Sequence, residues 1–69
     1  MQLFELEDHP YIPLCDLLKL CGLTQSGGQA KHVIEEGLVK VDGRVETRKR
    51  CKIITGQVVD FDGETVKVV

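Results

Sequence analysis

Residues 14–46 read LCDLLKLCGLTQSGGQAKHVIEEGLVKVDGRVE, and the fold is decided where their apolar spacing changes period. Leu14, Leu17, Leu18 and Cys21 fall at i, i+3, i+4 and i+7, one stripe along a helix, with Asp16 and Lys19 off it. Pro13 suits the first helical position, where an N–H would have no partner. Gly22 offers a left-handed stop, and Leu23 can fold back on the last turn. Ser26 opens a second helix, and Gln29 three residues later makes a capping box. Ala30, Val33 and Ile34 form its apolar side and Gly37 ends it, so the two helices make a compact pair. From Leu38 the period is two, with Asp42-Gly43 as a hairpin turn. A two-residue turn would set Val41 opposite Arg44 and Val39 opposite Glu46. A three-residue loop would align Val41 with Val45, and this register is expected because it keeps the valines together.

On the N-terminal side, LFELE alternates and predicts a short strand, which the two prolines of DHPYIP then break. On the C-terminal side, ETRKRCK interrupts the strands and Ile53-Ile54 resumes the core. Gly56 turns the chain, and VVDFDGETVKVV makes a second hairpin about Asp62-Gly63. The expected fold is α+β, a helix pair packed on a small, mainly antiparallel β-sheet. It is one domain over residues 1–69. Residues 1–12 form an N-terminal strand and Pro-containing loop, 13–46 the helix pair and first hairpin, and 47–69 a basic loop and closing strands.

Sixty-nine residues bury a small core and leave no room for a catalytic domain beside a scaffold. No apolar run approaches the roughly 20 residues of a membrane span, and MQLFELEDH lacks the basic region of a secretion signal. A cytoplasmic protein with no membrane partner is expected. Cys15, Cys21 and Cys51 are odd in number and lack a CxxC pair, so free thiols are expected, with no metal and no cofactor. Neither a Ser, His and acid constellation nor a GxxxxGK loop is present. Glu35 and Glu36 diverge by about 100° on a helix and do not make an acid–base pair. No enzymatic activity and no small-molecule substrate are expected.

Charge is distributed unevenly. The chain carries −2 overall, yet eight of its nine cations lie in residues 19–52. That segment is net +4, against −4 for residues 1–18 and −2 for 53–69. Within it, Ser26, Gly27, Gly28 and Gln29 stand at a helix start, where backbone N–H groups lack helical partners and the peptide dipoles add positive charge. Glycines there offer bare backbone to a phosphate oxygen. The alternative is close packing between the helices that excludes a side chain. Lys31 sits where the dipole disfavours a cation by about 0.3–1 kcal/mol, and makes better sense beside a bound anion. His32 reads as a surface imidazole. Arg48, Lys49, Arg50 and Lys52 follow a hairpin carrying Lys40 and Arg44, and together they are expected to extend one phosphate-binding stripe from the helix start.

The Gly22 stop, Ser26, Ala30, the Ile34-x-x-Gly37 spacing and Val39-Lys40-Val41-Asp42-Gly43 together resemble the RNA-binding domain of small-subunit ribosomal protein four, the alpha-L motif. KIITGQVVDF is similar to that family's closing strand pair, so the resemblance covers most of the chain. It implies the fold above and a bacterial, ribosome-associated protein that binds structured RNA, rRNA or tRNA-like, by backbone and shape. The family often places Arg directly after the Ser; here Gly27 stands there, so backbone amides, Lys31 and residues 48–52 must carry the contact. Where the family commonly has Gly-Asp, Gly56-Gln57 reads as a minor surface change. Few aromatics fit shape recognition, because stacking readers need exposed rings and Phe4 and Phe61 are expected in the core. A monomer is expected. Two rivals remain open: a DNA-binding helix-turn-helix protein, whose Glu35 and Glu36 would oppose phosphates, and a protein-interaction adaptor using the acidic ends.

Overall fold

Proline has no N–H to donate and holds φ near −65°; at Pro13, with φ −60° and ψ 140°, the chain leaves an extended segment and enters a helix. In the computed structural model, which describes residues 1–69, Pro13 is therefore the residue before the first helical turn rather than part of it. It closes a two-residue strand that periodicity did not predict. In chain order the elements are β1 (Gln2–Phe4), β2 (Ile12–Pro13), α1 (Leu14–Leu20), α2 (Gly27–Glu35), β3 (Val39–Val41), β4 (Arg44–Val45), β5 (Lys52–Ile53), β6 (Val58–Phe61) and β7 (Glu64–Val68).

The helix signals act as read. Leu14, Leu17, Leu18 and Cys15 of α1 are buried, as are Ala30, Val33 and Ile34 of α2, while Cys21 is half-buried. Gly22 adopts φ 76°, and the Leu23 amide returns to the Leu18 carbonyl at 3.0 Å. Five strands form a sheet in the order β1-β7-β6-β3-β4, with β1 parallel to β7 and the other pairs antiparallel. Its inner face carries Val39, Val41, Val59, Val66 and Val68, which join the helical residues and Ile53 in one core. A separate antiparallel pair sets Ile12 opposite Ile53 and Pro13 opposite Lys52.

Three expectations are corrected. The first hairpin has the two-residue turn: Val41 lies opposite Arg44 and Lys40 opposite Val45. Asp42 and Gly43 have φ 52° and 83°, the left-handed pair that matches the strand twist. Valine pairing does not decide the register because β4 is an edge strand with nothing over it, and Val45 stays 56% exposed. Ile53 is buried, but Ile54 is 51% exposed just beyond the end of β5. Gln57 is no minor surface residue. Its Oε1 accepts from the Ile54 amide at 2.9 Å and its Nε2 donates to Asp42 at 3.4 Å, while Asp42 Oδ1 accepts from the Val58 amide at 2.9 Å. The first turn is thereby stitched to the start of β6.

Leu18 is wholly buried between the helices and the sheet. Leu18→Ala is expected to cost about 2–5 kcal/mol, a large share of a small domain's stability, read as a lower urea midpoint at unchanged m-value.

Candidate nucleic-acid interface

Ser26 is extended, at φ −150° and ψ 163°, and its Oγ accepts from the Gln29 amide at 3.1 Å. The return bond falls one residue earlier than a capping box places it: Gln29 Oε1 accepts from the Gln25 amide at 2.8 Å. Both bonds leave the amides of Gly27 and Gly28 without a partner in the protein. No acidic side chain lies in the first turn. A Cβ built on Gly27 would meet nothing within 4 Å, and one on Gly28 only Ser26 Oγ at 3.9 Å. Helix packing therefore does not exclude a side chain at either position, and the alternative reading of the glycines falls away. What remains is an open helix start with two free donors.

Gly27, Lys31 and Glu35 are four residues apart and share one side of α2. Lys31 has no carboxylate within 4 Å; Glu35 is bound instead by Lys49 Nζ at 3.4 Å. Hence the helix start and the basic loop sit at the two ends of α2, about 12 Å apart along its axis, with Lys31 between them.

The loop is held at the start of α1. That helix has no side-chain cap, and its first amides donate outside it, Leu14 to the Cys51 carbonyl at 2.9 Å and Cys15 to the Lys49 carbonyl at 3.1 Å. Glu46 grips Arg48 from the side: Oε2 accepts from Arg48 Nε and from its backbone amide, both at 2.9 Å, and Oε1 from Nη2 at 3.0 Å. The Arg48 side chain still stands 76% exposed. Arg48 and Lys52 line a groove with Arg44 of the first hairpin, where Asp42 and Glu46 also stand but are engaged by Gln57, the Val58 amide and Arg48, and an adjoining depression adds Arg50. Arg44, Arg50 and Lys52 have no carboxylate within 4 Å. Lys40 is not part of this group. It lies on the sheet's outer face, opposite Val45 and Asp60, since its neighbours Val39 and Val41 point to the core. His32 is a surface imidazole 3.4 Å from Glu36.

Sequence reasoning gave no role to Tyr11, which is 39% exposed and has Lys52 Nζ 5.0 Å from its ring centroid. Only the pairing of β2 with β5 brings them together, and no local pattern announces it. Cys15, Cys21 and Cys51 are free. Burial pushes the Cys21 and Cys51 thiols up, and the Glu46 charge adds to the effect at Cys51. No group of three or more His, Cys, Asp or Glu side chains is placed to hold a metal ion.

Comparison with known proteins gives consistent findings. The family model of the S4 domain matches residues 4–69. Escherichia coli YbcJ is 62% identical over 69 residues, covering 100% of this chain and 99% of YbcJ. Bacillus subtilis RlbA, whose name associates it with ribosome maturation, is 38% identical over 56 residues, 81% of this chain and 79% of RlbA. The solution structure of E. coli YbcJ, described as revealing an alpha-L motif involved in RNA-binding, superposes with a TM-score of 0.78 over 100% of this chain and 87% of that one. The crystal structure of 30S ribosomal protein S4e from Thermoplasma acidophilum gives a TM-score of 0.61 at 27% identity, covering 86% of this chain and 31% of that one.

The hydrogen bonds from the Arg48 side chain and amide hold the Glu46 carboxyl down at about 2, against an ordinary 4.5. A carboxyl whose folded value is depressed adds stability that is full above its unfolded value and is lost as pH falls toward the folded one. Acid unfolding followed between about pH 5 and pH 2 is therefore expected to lose a component in Glu46→Gln, and carboxyl NMR titration should place the Glu46 midpoint near 2.

Proposed function

Since the chain belongs to the S4 domain family, we propose that it is a non-catalytic module that binds structured RNA by backbone and shape and acts on or beside the ribosome. The observation that carries the reading is the open start of α2, two free amides with no acid beside them, linked by Lys31 to the cationic loop. The amides of Gly27 and Gly28 and the Ser26 and Gln29 side chains meet one phosphate, and Lys31 the next. Arg44, Arg48, Arg50 and Lys52 meet the continuing strand across the hairpin groove, with Lys49 at the junction. The RNA-binding motif described for YbcJ and the ribosomal context of RlbA and S4e support it. Duplex DNA is less favoured, because Glu35 and Glu36 stand exposed on the helix that would enter a groove.

The cations and the amides contribute differently. Neutralising about four phosphates gives a slope of log affinity against log salt near −3 to −4. Arg50→Ala with Lys52→Ala is expected to flatten that slope by one to two units, and Lys40→Ala by less than either. A slope that ignores the double substitution would move the interface elsewhere. Gly27→Arg is the complementary test. The position is open and its backbone unstrained, so the variant should fold normally and bind structured RNA more tightly, with the slope steeper by about one. Glu46→Gln, by freeing Arg48, should act in the same direction.

A further inference from the structure

We infer that the apolar groove between β1, the 5–13 segment and the end of α1 docks a basic protein segment: an extended peptide rich in Lys and Arg, with one aliphatic or aromatic anchor. Buried Leu6 and Ile12 form its base, beside Phe4 and Pro13, while Tyr11 and Leu20 stand open at 39% and 66% exposure. Leu20, the last residue of α1, lies off the buried stripe and faces no core. The groove measures ≈ 300 Å³, the small end of ligand sites and fit for one anchoring side chain.

The charge around it identifies the occupant. Glu5, Glu7 and Asp8 are carried by the segment that lines the groove, and Asp16 lies with Ile12 and Leu20 in the adjoining depression. None of these four carboxylates has a Lys or Arg nitrogen within 4 Å. Lys19 shares that depression, and Lys52 approaches only the Tyr11 ring. Glu7 is held at φ 58°, a conformation where glycine is easier, in a turn closed by the His9 amide on the Leu6 carbonyl at 3.1 Å. On the segments flanking the groove these four carboxylates outnumber the two nearby cations, Lys19 and Lys52, and the net negative charge disfavours an RNA backbone and favours a cationic chain. In such a contact the charges steer and orient, and the buried anchor supplies most of the affinity. The groove meets the basic surface only where Lys52 lies over Tyr11 and leaves the start of α2 and Arg44, Arg48 and Arg50 free, so one molecule can hold an RNA and a basic protein side by side.

The test titrates the full chain with a fluorescein-labelled Lys/Arg peptide bearing one central Leu or Trp, read by anisotropy and by amide NMR shifts. The controls are the same peptide with the anchor replaced by Ala, and a Glu/Asp peptide. The anchored basic peptide should bind, shifting Phe4 to Ile12 and Leu20, while both controls bind at least about tenfold more weakly. Glu7→Lys with Asp8→Lys should weaken it about tenfold, and Leu20→Ser about fivefold, each with RNA affinity retained. Any of four results would overturn the inference: shifts confined to other residues, affinity indifferent to the charge reversal, the same shifts produced by RNA alone, or the same shifts produced by self-association of the protein.

Discussion

The first amides of α1 donate to the carbonyls of Lys49 and Cys51, and those two bonds seat the basic loop against the start of the helix. Pro13 has no side-chain oxygen with which to cap the helix, so acceptors for its first amides must come from elsewhere in the chain. Recruiting them from residues 49–51 draws a polar segment onto the start of a buried helix. It also aligns β5 with β2, sets Lys52 over Tyr11 and brings Lys49 to Glu35. A run of four cations in five residues would otherwise wander in solvent and lose conformational entropy on binding.

The carboxylates within the basic region reduce its charge but hold its side chains in position. Glu46 fixes the guanidinium plane of Arg48, and Glu35 holds Lys49 against α2. The amides of Gly27 and Gly28 are neutral and rigid, and their contribution to an anion carries no counterion-release component. A surface built from both kinds of donor favours a ligand whose phosphates are spaced to match it over one that is merely polyanionic.

What was legible in the residues was local. The α1 stripe, the Gly22 stop, the Ser26 cap and both Asp-Gly turns are decided by neighbours within a few positions, and each stands where periodicity put it. The hairpin register is not set locally, because it depends on β4 being an edge, which is a property of the whole sheet. Lys40 separates from Arg44 because it alternates with Val39 and Val41 in β3 and so faces outward, whereas Arg44 lies opposite core-facing Val41. The Gln57–Asp42 contact and the meeting of Lys52 with Tyr11 join segments 15 or more residues apart, beyond the reach of any spacing rule. The open space around Gly27 and Gly28 was equally invisible, since sequence alone supports packing and ligand approach alike.

β1 lies parallel beside β7, with the Leu6 amide on the Val69 carbonyl and the Val69 amide on the Phe4 carbonyl. The two strands lie at opposite ends of the sequence, and closing so long a loop is entropically the most demanding of the sheet's pairings. The two Asp-Gly hairpins close over two-residue turns, so their pairing carries far less loop-closure entropy than the seam between β1 and β7. The same seam is the natural place for the molecule to breathe, exchanging its amide hydrogens with solvent while the remainder stays closed.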